Sequence, residues 1–368
     1  MGSISVLGIG KLGLGLALLL EKAGYNVLGV DINTEYVNQL NTKTFKTQEP
    51  QYMHLLTTSK NFNASCDLNQ GLNHSNIIFI MVQTPNSGGT KFYDHSIVSS
   101  LLQEINAKKV KNKHIVIGCT LMPKYIDEVG IFLLEDCENT TLSYNPEFVA
   151  QGDIINGFLN PDMVLIGTHS VEVGCILQNI YNKIVTNTPA YCVMCPLDAE
   201  ITKITINGYI TTKISFANMI SDVCDEVGAD KSVVLSAVGS DSRIGTKYFK
   251  PGHSFGGPCF PRDTKALAMF IDQNRTNNDL LLATSKYNQL HSEVLAKRLL
   301  EQNQDEYVID QVCYKPGCDI PIIEESPQLK IAKVLSQAGK KVVIKDTLLL
   351  INEVKKEHGN IFEYESPT

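Results

Sequence analysis

Six residues near the start of the chain, Gly8-Ile9-Gly10-Lys11-Leu12-Gly13, place three glycines between an apolar segment and a helical pattern. Residues 3–8 predict a buried strand, the glycines open a helix that ends near Gly24, and 26–31 predict a second strand. Glycines at this spacing permit a tight turn, close approach of the backbone to a diphosphate, and close packing of helix on strand. Asp31 ends the second strand, where a carboxylate binds ribose hydroxyls and repels a 2′-phosphate. We therefore predict that all six residues of the turn, together with Asp31, bind NAD rather than NADP.

Strands and helices continue to alternate after this first βαβ unit. Apolar segments at 77–82, 114–119 and 163–167 predict buried strands, and helical patterns lie between them at 34–41, 94–108 and 123–135. This alternation predicts an α/β fold with a parallel sheet covered on both faces, a Rossmann-type domain that we place at residues 1–190. Thr84 and Pro85 follow one of these strands at the sheet edge where cofactors bind, so we predict them as cofactor contacts.

The middle of the chain has an all-helical pattern. Residues 197–227 contain no proline and predict one long helix, which Gly228 ends. More helical segments follow at 231–238, 263–272 and 279–300, so we assign 191–301 to a central helical domain. The long helix fits two roles equally well, the centre of a homodimer interface or a linker within one chain.

The last part of the chain returns to alternating elements. Residues 307–313 and 341–345 predict strands, whereas 328–338 and 348–357 predict helices. We assign 302–368 to a second, shortened α/β domain.

Composition argues against several classes of partner. The 39 acidic residues outnumber the 32 basic ones, so no positive excess is available to bind nucleic acid. The apolar runs are too short for a membrane span, and the first residues lack the features of a secretory signal, so we expect a cytoplasmic protein. Cys192 and Cys195 form a Cys-x-x-Cys pair without a second ligand pair at metal-site spacing, and we predict no metal.

One cysteine has an unusual setting. Residues 251–265 read Pro-Gly-His-Ser-Phe-Gly-Gly-Pro-Cys-Phe-Pro-Arg-Asp-Thr-Lys, which places Cys259 behind a Gly-Gly-Pro turn and four residues before Asp263. We interpret Cys259 as a nucleophile and Asp263 as its partner. The plainer interpretations are a small buried cysteine and an aspartate that caps a helix over 264–272.

Five ordered blocks resemble those of the UDP-glucose/GDP-mannose dehydrogenase family. They are Gly8–Gly13 with Asp31, Thr84-Pro85, Asn145-Pro146-Glu147-Phe148, Lys203 with Asn207, and Phe255–Asp263. A sixth and weaker block is Tyr314-Lys315-Pro316-Gly317 followed by Glu325-Ser326-Pro327. Because the blocks extend over nearly the whole chain, we expect the fold and chemistry of that family.

The resemblance implies oxidation of a sugar C6 alcohol to a carboxylate in two steps that consume two NAD. Cys259 would form a thiohemiacetal and then a thioester. Lys203 and Asn207, four residues apart on one helix face, would stabilise the alkoxide and the oxyanion. Asp263 would hold Lys203 or a water in place.

Other residues are assigned through the same resemblance. Thr120 would position water and contact the cofactor, and Glu147 is the candidate base for thioester hydrolysis. Arg262 would contact the cofactor or the substrate. Residue 151 departs from the family, because a glutamine stands where a glutamate is common. Gln151 cannot transfer a proton, so either Glu147 and water suffice or the thioester accumulates; Gln151 can still hydrogen-bond the substrate.

The substrate is expected to be UDP-glucose and the product UDP-glucuronate. Arg243-Ile244-Gly245 matches the UDP-glucose branch of the family better than the GDP-mannose branch. The resemblance implies that Arg243 reaches the nucleotide sugar across a homodimer interface, the alternative being an ordinary surface arginine. Further predicted substrate contacts are Phe148, Val149, Phe249, Gly256, Phe260, Lys315 and Tyr314, the last a stacking partner for uracil. The alternatives are GDP-mannose, a UDP-N-acetylhexosamine, or a catalytically silent protein that binds NAD or a nucleotide sugar.

Overall fold

The computed structural model describes residues 2–315, 317 and 320–366. The chain divides into two compact units, a first unit that ends at Lys203 and a second unit that begins at Ile204. The division into three domains made from the sequence stays a prediction.

The first unit is built on an eight-stranded sheet. Its strands are β1 (Ser3–Leu7), β2 (Asn26–Val30), β3 (Phe62–Ser65), β4 (Ile77–Ile80), β5 (His114–Ile117), β6 (Thr141–Tyr144), β7 (Met163–Gly167) and β8 (Ala190–Met194). They are arranged in the order β3-β2-β1-β4-β5-β6-β7-β8. All neighbours are parallel except β6 and β7, which meet antiparallel where Tyr144 pairs with Gly167. The predicted Rossmann-type sheet is confirmed, with this one junction as the exception to parallel pairing.

Helices cover both faces of this sheet. They are α1 (Lys11–Lys22), α2 (Thr34–Asn41), α3 (Tyr52–Thr58), α4 (Leu68–His74), α5 (Ser96–Ala107), α6 (Ile154–Leu159) and α7 (Val171–Ile184). Ile4 and Val6 point into one apolar core and Leu7 into the other, so β1 is buried on both sides. A strand buried on both faces needs such double cover, and its buried Ser5 donates its hydroxyl to the carbonyl of Gly71 at 2.6 Å.

The segment with a helical pattern at 123–135 is helical in part, but not as a regular α-helix. It forms a π-helical turn over Ile126–Gly130 and a 3₁₀ turn over Phe132–Leu134. The amide of Ile131 bonds to the carbonyl of Ile126, five residues back, at 3.0 Å. Apolar spacing alone does not distinguish this wider turn from an α-helix, so the pattern predicted helix here but not its type.

The second unit combines long helices with a small parallel sheet. The helices are α8 (Pro196–Val227), within which the unit boundary falls, α9 (Lys231–Gly239), α10 (Phe260–Gln273), α11 (Asp279–Glu301), α12 (Pro327–Gln337) and α13 (Leu348–His358). The strands β9 (Glu306–Asp310), β10 (Lys341–Lys345) and β11 (Glu363–Glu365) lie in the order β11-β10-β9. Among the described helices none is both long enough and apolar enough to cross a membrane.

Candidate functional site

The glycine-rich turn between β1 and α1 has the shape that a diphosphate requires. Gly8 has φ +85°, and a Cβ on Gly13 would lie 2.0 Å from the carbonyl oxygen of Gly8. Gly10 is the N-cap of α1 without a side-chain cap, and a Cβ built there would meet nothing within 4 Å. The first amides of α1 therefore face an open side of the turn, where a helix N-terminus favours an anion.

Two tyrosines that the sequence did not single out support this turn. The Tyr36 hydroxyl donates to the carbonyl of Ile9 at 2.7 Å, and the Tyr52 hydroxyl donates to the carbonyl of Lys11 at 2.7 Å. Burial raises the pKa of both phenols, with a further contribution from Asp31 at Tyr36 and from Glu49 at Tyr52. Both hydroxyls consequently keep the proton that they donate. No spacing rule links these tyrosines to the glycines, so the pattern gave no signal for them.

Asp31 and Thr84 lie beyond the carboxyl ends of β2 and β4, the two strands that flank β1 in the sheet. Asp31 directly follows β2, and its Oδ1 accepts from the amide of Asn33 at 3.1 Å. Thr84 is buried and Pro85 accepts from the amide of Asp94 at 2.8 Å, in the segment after β4. Their positions at the sheet edge fit the predicted cofactor contacts.

Thr120 follows β5 in a segment that is tied down by three side chains. Leu121 donates its amide to the Tyr144 hydroxyl at 3.2 Å, and Met122 donates its amide to His95 Nε2 at 3.1 Å. Burial lowers the pKa of His95 to about 4, so at neutral pH this nitrogen has a free lone pair to accept the bond.

The third side chain is Glu200, which is fully buried in the first turns of α8. Its two oxygens accept from the amides of Lys124 at 2.7 Å and Ile126 at 2.9 Å. Burial raises the pKa of Glu200 to about 7, although both hydrogen bonds favour the charged form. This buried carboxylate was not identified from the sequence.

Lys203 and Glu147 meet within the first unit. The Lys203 ammonium, buried at 6% exposure, donates to the backbone carbonyl of Glu147 and lies 4.4 Å from the centroid of the Phe148 ring. The Glu147 carboxylate accepts from the amide of Val149 at 2.8 Å. The structure therefore brings three of the predicted residues together, with the lysine held by a carbonyl and an aromatic face.

Gln151 contacts the dinucleotide turn. Its Oε1 accepts from Lys11 Nζ at 3.1 Å, and the neighbouring amide of Gly152 bonds to both oxygens of the buried Glu49, at 3.0 and 3.1 Å. Val149 packs against Gly157, where a Cβ would lie 2.8 Å from Val149 Cγ1. The segment 147–152 is thus fixed to the first unit at both ends.

In the second unit, Cys259 is exposed and occupies the N-cap position of α10. Two glycines shape its approach: a Cβ on Gly256 would lie 2.3 Å from the carbonyl oxygen of Glu325, and one on Gly257, with φ +84°, 2.3 Å from Tyr314 Cδ2. Only glycine fits this close packing. The thiol stands at a helix N-terminus, where the amides stabilise negative charge such as that of a thiolate.

Asp263 lies one turn further along α10 and is almost fully buried. Its amide donates to the carbonyl of Cys259 at 2.8 Å, and its Oδ2 accepts from Asn207 Nδ2 at 2.5 Å. The plainer interpretation of Asp263 as an N-cap is wrong, because α10 already begins at Phe260 with Pro261 in its first turn. Asp263 faces α8 instead.

The remaining predicted contacts have varied surroundings. Arg243 is exposed and forms a two-point pair with Asp241, with Nε–Oδ1 and Nη2–Oδ2 distances of 3.0 and 2.7 Å. Phe249 is buried and stacks on Phe216.

The rings of Tyr248 and Phe260 meet edge to face. Lys315 Nζ lies 5.6 Å from the centroid of the Tyr314 ring, and Arg262 is half-buried in the first turn of α10. Pro316 lies outside the described residues. In the part of the chain that the structure describes, no group of three His, Cys, Asp or Glu side chains is placed to hold a metal ion.

Comparison with known proteins identifies the class. Residues 2–185 match the NAD binding domain of the UDP-glucose/GDP-mannose dehydrogenase family, and residues 197–290 match the central domain of that family. A UDP-glucose 6-dehydrogenase from Rickettsia bellii is 27% identical over 361 residues, which are 96% of this chain and 82% of the relative.

Solved structures agree with this. A UDP-glucose dehydrogenase from Pyrobaculum islandicum superimposes with a TM-score of 0.88 at 26% identity, covering 99% of this chain and 86% of that one. A GDP-mannose dehydrogenase from Pseudomonas aeruginosa gives a TM-score of 0.61 at 25% identity, covering 96% and 84%.

The fold and the glycine-rich turn thus define an NAD-binding α/β oxidoreductase. The chain belongs to the UDP-glucose/GDP-mannose dehydrogenase family. Its dinucleotide turn fits NAD, because the glycine contacts leave an open helix N-terminus and Asp31 stands at the end of β2.

Proposed function

We propose that this protein oxidises the C6 alcohol of UDP-glucose to the carboxylate of UDP-glucuronate through a covalent bond to Cys259. The observation that carries the proposal is the placement of an exposed thiol at the N-cap of α10, with the buried Asp263 one turn below it and bonded to Asn207. A nucleophile, an acid and an amide donor on two packed helices form the arrangement that acyl chemistry needs.

The first step removes a hydride from C6 and a proton from its hydroxyl and leaves an aldehyde. When bound, NAD accepts the hydride in each of the two oxidations. Lys203, whose ammonium is held by a carbonyl and the face of Phe148, stabilises the alkoxide from which the hydride departs. A buried ammonium is more effective in this role than one in water, because the local dielectric is low.

The thiolate of Cys259 then adds to the aldehyde carbon and forms a C–S bond. The resulting thiohemiacetal carries an oxyanion, C6 loses a second hydride as this oxyanion becomes a carbonyl, and a thioester remains. The Asn207 amide, oriented by Asp263, donates to the carbonyl oxygen of these species.

Release of the product requires water. Glu147 accepts a proton from a water that Thr120 positions, the water attacks the thioester carbon, and the C–S bond breaks to return the thiol. Gln151 cannot share this role as an acid or base, and its contact with Lys11 gives it the task of holding the 147–152 segment.

We further propose that two copies of the chain associate along α8. Large apolar residues recur on one exposed side of this helix at helical spacing, with exposures of 66% at Tyr209, 49% at Phe216, 54% at Val223 and 70% at Val227. A second copy buries this stripe by two-fold symmetry. Val223→Glu is expected to yield monomers in light scattering, whereas Val171→Glu, at the exposed start of α7, should leave the oligomer unchanged; dimeric Val223→Glu would contradict the interface.

The assay for the activity is reduction of NAD by the purified protein with each nucleotide sugar in turn. We expect two NADH per UDP-glucose, and less turnover with GDP-mannose or a UDP-N-acetylhexosamine. Cys259→Ser should abolish formation of the acid, whereas Cys175→Ser, at another exposed cysteine, should not.

Each alternative has its own outcome in this assay. Faster turnover with GDP-mannose or a UDP-N-acetylhexosamine would transfer the same chemistry to that substrate. Binding of NAD without its reduction by any of the three would leave a catalytically silent protein. Normal acid formation by Cys259→Ser would remove the thiol from the mechanism.

A further inference from the structure

The backbone that leads into the Cys259 turn is held by buried side chains of two helices. Asn288 of α11 bonds to both the amide and the carbonyl of Phe255, at 2.7 and 2.9 Å. Ser254 Oγ bonds to the carbonyl of Asn288 at 2.7 Å, and Asn218 of α8 donates to the carbonyl of His253 at 3.0 Å. These contacts fix residues 253–255 only a few residues before Cys259.

The last of these anchors is His291, which is 1% exposed. Its Nε2 lies 2.8 Å from the carbonyl oxygen of Gly252, and its Nδ1 lies 2.9 Å from Oδ2 of Asp222. The ring thus connects α8 to the start of the segment that carries the cysteine.

The partners of His291 determine its protonation. The Asp222 carboxylate also accepts from the Tyr287 hydroxyl and from Arg298 Nη1, the latter at 3.0 Å. It is therefore an anion, and it accepts a further hydrogen bond from the N–H at Nδ1 of His291. The carbonyl of Gly252 has no proton to give, so Nε2 must donate as well. A neutral ring has only one N–H and would direct a lone pair at one of these oxygens.

We propose that His291, held as an imidazolium by Asp222, is a positioning residue that anchors Gly252 and thereby sets where the turn presents Cys259. A charge-assisted bond to a carbonyl is shorter and stronger than a neutral one, and a buried charge is tolerated only beside its partner. Removing either member of the pair therefore loosens the approach to the cysteine without touching the thiol. The catalytic meaning of this anchor rests on the proposed role of Cys259.

The anchor is tested by hydrogen exchange and by NMR on the full-length protein. The side-chain amide of His291→Gln cannot donate to both the Gly252 carbonyl and the Asp222 carboxylate in the geometry of the imidazole ring. In this variant the backbone amides of 253–259 should therefore exchange about 10-fold faster or more. Tyr287→Phe removes a different donor from the same Asp222 oxygen and should leave that exchange unchanged. The ¹⁵N signals of the His291 ring should be those of an imidazolium in the wild type and of a neutral ring in Asp222→Asn.

Exchange at the wild-type rate in a folded His291→Gln, or a neutral ring in the wild type, would overturn the proposal. Turnover supplies a separate criterion: His291→Gln should lower kcat about 10-fold or more with KM for the nucleotide sugar within about 2-fold, and Tyr287→Phe should not. An unchanged kcat would overturn the positioning role. If the wild type reduces no NAD with any nucleotide sugar, the proposed function fails, and exchange and NMR alone decide the anchor.

Discussion

The side-chain amide of Asn207 donates a hydrogen bond of 2.5 Å to the carboxylate of Asp263, which joins α8 to the first turn of α10. Because Asp263 also bonds through its amide to the carbonyl of Cys259, the orientation of Asn207 is linked to the backbone of the cysteine. The amide nitrogen has a second N–H, which we assign to the developing oxyanion. A group already fixed by a carboxylate needs no reorientation when charge develops on the substrate.

Asn207→Ala is expected to lower kcat by about 100-fold, the usual cost of removing one oxyanion donor. It also takes a donor from the buried Asp263, which costs roughly 1–3 kcal/mol of stability. Thr211→Val is the matched control, because it breaks the buried 2.8 Å contact of Thr211 with Thr264 one turn further along α8. The control should lose stability but keep kcat; an equal loss of kcat in both variants would make Asn207 merely structural.

The contact between Lys11 and Gln151 leads to a second prediction. In Gln151→Glu the new carboxylate would form an ion pair with Lys11 in place of the present 3.1 Å hydrogen bond. An ion pair favours the charged form of the new carboxylate, so it accepts a proton less readily and is a weaker general base.

Gln151→Glu alone should therefore change the steady-state rate by less than about 2-fold, whereas Gln151→Glu with Lys11→Gln should accelerate thioester release. Single-turnover measurement of the covalent adduct separates hydrolysis from hydride transfer. An equal rate in the single and the double variant would show that Lys11 does not restrain residue 151.

Much of the fold could be predicted because the apolar pattern of the sequence matches the burial of the helices and strands that it forms. The long helix was predicted over 197–227 and is observed over Pro196–Val227, since no proline follows Pro196 before Gly228. The buried strand β4 is entirely apolar and β5 is apolar after His114, which is typical of strands in a doubly covered sheet. Short strands of mixed polarity, such as β3 and β6, were missed, because four residues contain too few alternations to form a pattern.

The candidate site was predicted unevenly for a different reason. Residues in local motifs, such as the glycines before α1, could be identified from spacing. Glu200 and His291 act through contacts with residues more than 35 positions away, and no local pattern reports such partners. Asp263 was open to the wrong alternative because Pro261 starts its helix earlier than the apolar spacing suggests.

Cofactor choice is predicted to depend on Asp31. Asp31→Asn removes the charge that repels a 2′-phosphate and keeps an oxygen to accept the Asn33 amide. We expect kcat/KM to fall about 10-fold for NAD and to rise for NADP, measured with the preferred nucleotide sugar. Asp67→Asn, which preserves a comparable oxygen at the start of α4, is the control and should leave the preference unchanged. If Asp31→Asn prefers NAD over NADP as strongly as the wild type does, the adenosine ribose does not bind at Asp31.

The buried carboxyl of Glu200 should make the stability of the protein depend on pH. Burial raises its pKa to about 7 from an ordinary value of 4.5, so between these values the folded protein binds more protons than the unfolded chain. Stability from this group is therefore fully present below about pH 4.5 and is lost as pH rises through about 7.

Glu200→Gln removes that titration, so the free energy of unfolding of the wild type should fall relative to the variant by roughly 2 kcal/mol between pH 5 and pH 7.5, as measured by urea unfolding. Tyr144→Phe is the control, because it takes a non-titrating acceptor from the amide of Leu121 in the same segment. The difference in the free energy of unfolding between Tyr144→Phe and the wild type should stay constant over this pH range. A constant difference for Glu200→Gln as well would mean that the carboxylate remains charged throughout, held by the amides of Lys124 and Ile126 in spite of its burial.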